Sequence, residues 1–232
     1  MDLESSFHPQ SKRISIQMPD LVEYSFSRIG RFPHGSPFQL PDATYLYAPI
    51  HTELMILSDI KILESIATGE IVIQPYHREH LGTNSYDVHL GRWLAIYKDP
   101  VLDARKHNEI EYIEIPEEGY VLQPGQLYLG VTEEYTESHS AVPFLEGKSS
   151  VGRLGIDIHA TAGKGDVGFC NTWTLEISCT LPVRVYRGMP IGQLIYFKVD
   201  GEIENLYNHK PSAKYNSRTD KPVESMMWKN SF

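Results

Sequence analysis

A series of short strand-like runs, each closed by a turn signal, constrains this chain most. YDVHLG, WLAIY, YIEIP, GYVLQPGQLYLGVT, WTLEIS, VRVY and IGQLIYF follow one another between residues 86 and 197. Glu-Gly at 118–119, Pro-Gly at 124–125 and Arg-Gly at 187–188 separate several of them. Glycine reaches positive φ and proline lacks an amide hydrogen, so both interrupt regular structure. Regular short strands with this punctuation predict a mainly β fold, a β-barrel or jelly-roll-like one with a few short helices. One segment has a helical period instead: SDIKILESIATGEI places Ile60, Leu63, Ile66 and Ala67 on one face. Ser58 or Asp59 suits its N-cap, and Gly69 suits its C-terminal stop. Residues 1–52 are polar, Pro- and aromatic-rich and weakly periodic, and read as an N-terminal extension of open role. Residues 53–201 then form the β-barrel domain, and the polar stretch 202–232 a C-terminal arm that orders over a ligand.

Charge and cysteine usage narrow the partners. A formal net charge of −9 argues against broad binding to nucleic-acid backbones. It leaves room for a small anionic ligand where basic residues gather or a divalent cation helps. No apolar run approaches the ~20 residues that span a membrane, and MDLESSFHPQ lacks the apolar region of a secretory signal. Cys170 and Cys179, in or near one predicted strand, make a poor disulfide framework and read as free thiols. The expected location is cytoplasmic.

Four stretches carry candidate chemistry. In GFCNTWTLEISC (168–179), Trp173, Leu175 and Ile177 share one strand face, while Thr174, Glu176 and Ser178 share the other. Glu176 is then either a residue on a wet outer face or a carboxylate with a task. EGKSSVGRLG (146–155) combines glycines, hydroxyls and two cations. It reads as a phosphate-binding turn or as a capped helical turn packed on the barrel. It is not a Walker A loop, since the glycine required upstream of Gly-Lys-Ser is missing. ATAGKGDVGF (160–169) sets Asp166 among three glycines, either to grip a sugar hydroxyl or to close its own turn. HREH (77–80) offers two histidines at i and i+3, with no third ligand of metal spacing in view. HExxH is absent, and so is the P-C-x-x-C that zinc nucleobase deaminases require.

Taken together, MILSDIKI (55–62), SYDVHLG (85–91), EGKSSVGRLG (146–155), HATAGKGDVGFCNTWTLEIS (159–178), RGMPIGQLIYF (187–197) and YNHKPSAKY (207–215) resemble the dCTP deaminase family, a branch of the dUTPase superfamily. The match runs over about residues 55–218 in family order and spacing. The resemblance implies a distorted β-barrel of the dUTPase type that assembles as a homotrimer with active sites between subunits. It implies hydrolytic deamination of dCTP to dUTP and ammonia without zinc, supplying dUMP for thymidylate synthesis. Mg2+ would be bound through the triphosphate, with no direct protein ligand.

By the same resemblance, Glu176 is the general base, Ser149 and the backbone carbonyl of Ala162 hold the attacking water, and Arg153 supports the developing charge. A partly buried carboxylate suits a base that must take a proton and return it. Lys148, Ser150, Val151 and Gly152 complete the triphosphate loop, and Asp166 meets the deoxyribose 3′-OH. Phe169 packs on the sugar, the backbone from Thr174 through Leu175 to Glu176 reads the pyrimidine edge, and Gln193 contacts phosphate. Tyr207 and Lys214 contribute from the arm. Arg218 stands where a glutamine is common, and Lys148 where an arginine is frequent. The small Gly163 resembles members that also cleave the triphosphate to dUMP and pyrophosphate. Feedback inhibition by dTTP is a further family property. Two alternatives stay open: a dUTPase without deaminase activity, favoured by Asp87 and by Asp166 with Phe169, and a non-catalytic nucleotide-binding regulator.

Overall fold

The computed structural model describes residues 55–161 and 163–232. Residues 1–54, which contain the N-terminal extension, and Ala162 lie outside the described residues. The elements are α1 (Asp59–Thr68), β1 (Ile71–Gln74), β2 (Tyr86–Tyr97), β3 (Ile110–Glu114), β4 (Tyr120–Leu122), β5 (Tyr128–Thr132), β6 (Tyr135–Ser138), β7 (Ala141–Gly147), α2 (Ser149–Gly152), β8 (Ile156–Asp157), β9 (Cys170–Asn171), β10 (Thr174–Cys179), β11 (Val183–Val185) and β12 (Pro190–Lys198). The mainly β expectation holds, and the strands form a nearly closed barrel. Its largest sheet runs β7-β12-β2-β5-β10-β8, with β3 added beside β2. A second sheet, β1-β6-β9, and the pair β11-β4 complete it.

Alternation explains which side chains fill the barrel. In β10, Leu175, Ile177 and Cys179 are buried while Thr174, Glu176 and Ser178 are half-buried on the opposite face. In β12, Ile191, Leu194 and Tyr196 point inward and share the core with Leu90, Leu94 and Tyr86 of β2 and Leu145 of β7, the two strands paired with it. Strand β5 is buried at every position, as befits a strand paired on both edges and covered on both faces. Arg187-Gly188 turns as read from the sequence, with Gly188 at φ 76°.

Helix α1 has the expected ends. Ser58, not Asp59, is the N-cap, its side chain accepting from the Lys61 amide at 3.3 Å, and Gly69 closes the helix at φ 78°. Its buried face differs from expectation. Ile62 and Ser65 are buried, Leu63 and Ile66 half-buried, and Ile60 is 63% exposed. The helix touches the barrel along a narrow stripe, so rotation about its axis decides which of several apolar residues is covered. Among the described residues, no helix is long and apolar enough to cross a membrane.

After Lys198 the chain makes no further strand, yet it is tied to β9 and β10. The Asn171 side-chain amide donates to the Tyr215 and Ser217 carbonyls at 3.1 and 2.9 Å, and its oxygen accepts from Thr219 at 3.3 Å. Thr172 Oγ1 donates to the Thr219 carbonyl at 2.8 Å, and Thr174 Oγ1 accepts from Val223 at 3.1 Å.

Candidate active site

The outer face of β10 is not simply wet. Leu175 and Ile177 anchor the strand in the core, which fixes Glu176 outward. There, Glu176 Oε2 accepts a hydrogen bond from the Ala160 amide at 2.9 Å. The Glu176 amide itself donates to the Ile158 carbonyl at 2.9 Å, on the β10 edge that continues into β8. Since the backbone groups of alternate residues point to the same edge, those of Thr174 face this side too, beyond the pairing with residues 156–158. An open strand edge therefore lies beside the carboxylate.

His159 stands next to the Ala160 amide. Burial holds its imidazole below the usual range, and the nearby Glu176 charge only partly offsets this. The ring is therefore neutral at neutral pH, and its Nε2 is buried, with no hydrogen-bond partner among the described residues. Gly163 closes the same corner. A Cβ there would lie 1.8 Å from the Leu145 carbonyl oxygen and 2.7 Å from His159 Nε2, so only glycine fits. The close approach is stitched by bonds from the Leu145 amide to Gly163 O and from the Gly165 amide to Pro143 O, both 2.8 Å.

The second wall is the turn after β7. Lys148 occupies the N-cap position of the single-turn α2, and its Nζ pairs with Asp87 Oδ2 at 2.5 Å. Val151 is buried, so its side chain anchors the turn, and its amide donates to the Lys148 carbonyl at 2.9 Å. Ser149, Ser150, Gly152 and Arg153 are exposed. Gln193 on β12 sits in register between Asp87 on β2 and Glu146 on β7, which places it beside the Lys148–Asp87 pair. Between these walls opens a cleft of about 350 Å³, whose lining includes Lys148, Ser149, Gly152, His159, Thr161 and Gly163. Glu146 and Asp157 also line it, so its carboxylates outnumber its lysine.

Of the expected site residues only Lys148, Ser149 and Gly152 line this cleft; Glu176, Ser150, Arg153 and Gln193 border it through neighbours in chain or strand register, and the others gather elsewhere on the chain. Asp166 pairs with Lys164 Nζ at 2.7 Å. Phe169 packs on Trp173 (ring centroids 5.0 Å apart) and edge-on to Tyr207 (5.8 Å). Arg218 lies over the Tyr135 ring at 4.2 Å, and Lys214 Nζ bonds Asn230 Oδ1. Ala162 lies outside the described residues. His159 and Thr161 were not singled out from the sequence. Their signal was position alone, in the loop that runs between two glycine-rich corners, since neither residue type is unusual there.

The arrangement offers a fixed carboxylate, a neutral imidazole, a hydroxyl-rich turn with one lysine, and an open strand edge. That set is suited to orienting a planar heterocycle and a water beside a base. A family model described as dCTP deaminase-like matches residues 56–199. A protein of Cytophaga hutchinsonii named dCTP deaminase, dUMP-forming, is 50% identical over 156 residues, covering 67% of this chain and 90% of its own length. A protein of the same name from Clostridium botulinum (strain Alaska E43) is 48% identical over 177 residues, covering 76% of this chain and 98% of its own. The crystal structure of 2′-deoxycytidine 5′-triphosphate deaminase from Agrobacterium tumefaciens superposes with a TM-score of 0.51 at 21% identity, over 63% of this chain. The chain spans about half (49%) of that solved protein, and the likeness is one of fold.

Proposed function

This chain belongs to the dCTP deaminase-like family, and from that premise we propose that it converts dCTP and two waters to dUMP, pyrophosphate and ammonia. The observation that carries the reading is Glu176, held by the Ala160 amide beside an open strand edge. In the deamination step, Glu176 takes a proton from a water as that water's oxygen bonds to C4 of the cytosine. The same carboxyl then delivers the proton to the amino nitrogen, the C4–N bond breaks, ammonia leaves, and the proton remaining on the C4 oxygen passes to N3 to give the uracil ring. Ser149 and the Ala162 carbonyl hold the water, and Arg153 stabilises the charge that develops on the ring. Zinc has no part in this scheme. The neutral His159 lets the Ala160 amide stay fixed on Glu176 without adding a competing charge. Strand edge 174–176 holds the pyrimidine. The second water attacks the α-phosphorus, which frees pyrophosphate.

Triphosphate binding needs more positive charge than one cleft supplies. Glu146 and Asp157 lie along it beside a single lysine, so the donor set fits the triphosphate together with Mg2+ carried by the phosphates. That ion, when bound, neutralises phosphate charge. Lys148, Ser150, Gly152 and Gln193 bind the phosphates from this chain. Asp166, Phe169, Tyr207, Lys214 and Arg218 do not line the same cleft. A homotrimer in which the sugar hairpin and the C-terminal arm of one copy complete the cleft of another would bring both groups together, with the arm closing over the nucleotide. dTTP, which carries a carbonyl at C4, occupies the same cleft as an inhibitor.

Product analysis tests the reading. Incubation with dCTP and Mg2+ should release ammonia, dUMP and pyrophosphate in equal amounts. Ammonia with dUTP alone limits the reading to deamination. Turnover of dUTP but not dCTP, or binding without turnover, would overturn it.

A further inference from the structure

Glu134 is buried, with its side chain 2% exposed, and among the described residues no lysine or arginine pairs with it. A carboxylate taken out of water needs a compensating cation and full hydrogen bonding. Its Oε2 accepts the His89 amide at 2.8 Å, and its Oε1 lies 2.6 Å from His89 Nδ1. A second imidazole, His80, lies against the first, with ring centroids 4.2 Å apart. His80 Nδ1 is buried and has no hydrogen-bond partner among the described residues. One side chain from each of the three residues presents a ligand atom, and these atoms all lie within 4.8 Å of one another.

We propose that His80, His89 and Glu134 bind a divalent transition metal ion, zinc by ligand chemistry, as a clasp remote in sequence from the proposed catalytic residues. Two imidazoles and a carboxylate are a common donor set for tetrahedral zinc, with bonds of ~2.0–2.2 Å and one position left for water. Ligand atoms around such an ion stand roughly 3.3–3.5 Å apart, so the His80 imidazole moves inward while the 2.6 Å His89–Glu134 contact opens, its Nδ1 proton giving way to the ion. The ion gives Glu134 a fixed positive partner and gives His80 Nδ1 the lone-pair acceptor it lacks. It also ties the short turn Arg78–His80 to β2 and to the β5–β6 connection. The HREH stretch supplies only His80 to this group, and the other two ligands come from positions 89 and 134, which only the fold brings near.

A partly exposed group, Glu137, His139 and Cys170, also has ligand atoms within 4.8 Å and serves as the internal comparison. There the carboxylate is likewise hydrogen-bonded, by Tyr135 Oη and His139 Nε2, but its side chain is 26% exposed, so water can solvate its charge and no ion is needed. The test uses the full untagged chain, stripped with chelator and titrated with zinc by calorimetry, with thermal unfolding in parallel. One ion per chain should bind, and the melting temperature should rise by about 5–10 °C at a hundredfold excess over Kd. H80Q should weaken zinc more than about 100-fold, beyond the loss seen when an outer-sphere partner is removed, whereas the double variant H139Q/C170S should retain it. Absence of zinc binding, retention of full affinity in H80Q, or loss in H139Q/C170S would each overturn the proposal. Cobalt on the wild-type chain decides even where H80Q does not fold: tetrahedral bands without thiolate charge transfer support the site, and a thiolate band assigns the metal to Cys170 instead.

Discussion

Gly163→Ala should cripple the enzyme through a single methyl group. The added Cβ would sit 1.8 Å from the Leu145 carbonyl oxygen and 2.7 Å from His159 Nε2. Real Cβ atoms essentially never come within 3.0 Å of a heavy atom outside their own and adjacent residues, so something must move by more than about an ångström. Leu145 is held in β7 against Leu194 of β12 and cannot retreat. The 159–165 loop must move instead, which breaks the bond between the Leu145 amide and Gly163 O. Overpacking of this kind costs about 1–3 kcal/mol, equivalent to about 2–4 °C of melting temperature per kcal/mol at this chain size. The functional loss is larger than the stability loss. The Ala160 amide that holds Glu176 rides on the same loop, and a 1 Å misplacement costs roughly 100-fold in rate. Ammonia release from dCTP, measured well below the melting temperature, should therefore fall by about two orders of magnitude in a folded protein. Wild-type kcat in Gly163→Ala with an unchanged melting temperature would refute this account of the corner.

Glu176→Gln keeps the shape and an oxygen for the Ala160 amide, so its melting temperature should stay within a few degrees of wild type. Its deamination rate should drop by at least about 100-fold, with dCTP binding retained by calorimetry. Burial depresses the His159 pKa in the folded state. Below the ordinary value near 6.5, the unfolded chain takes up a proton that the folded chain refuses. This contribution to stability is therefore complete above the unfolded pKa and is lost as pH falls through the folded one. Denaturant titrations should show a smaller loss between pH 7 and 5 for His159→Gln than for wild type, and equal slopes would exclude the effect. Asn171→Ala removes the bonds to Tyr215, Ser217 and Thr219, at roughly 1 kcal/mol each. Limited proteolysis should then cut beyond residue 201 faster than in wild type, while the barrel survives.

Some of this architecture is legible in the sequence itself. Alternation in TLEIS put Leu175 and Ile177 inside and Glu176 outside, because a strand has a period of two wherever it lies. Ser58 and Gly69 marked the ends of α1 because caps are local hydrogen-bonding solutions. Strands β1, β6 and β7 were not marked as such in the sequence. IVIQ is short, YTES is polar, and AVPFLEG carries an internal proline that sits within the β7–β12 pairing.

The chain's own order of residues thus determined a barrel of short strands and the face on which each side chain stands. Those properties depend on torsions and neighbours within a few positions. Tertiary structure alone decided what each outward group meets: Ala160 capping Glu176, Asp87 holding Lys148 across 61 positions, and Glu134 enclosed with His80 and His89. Burial and counter-charge are set by whatever the fold carries into contact. In an antiparallel barrel those partners come from strands far apart in the chain.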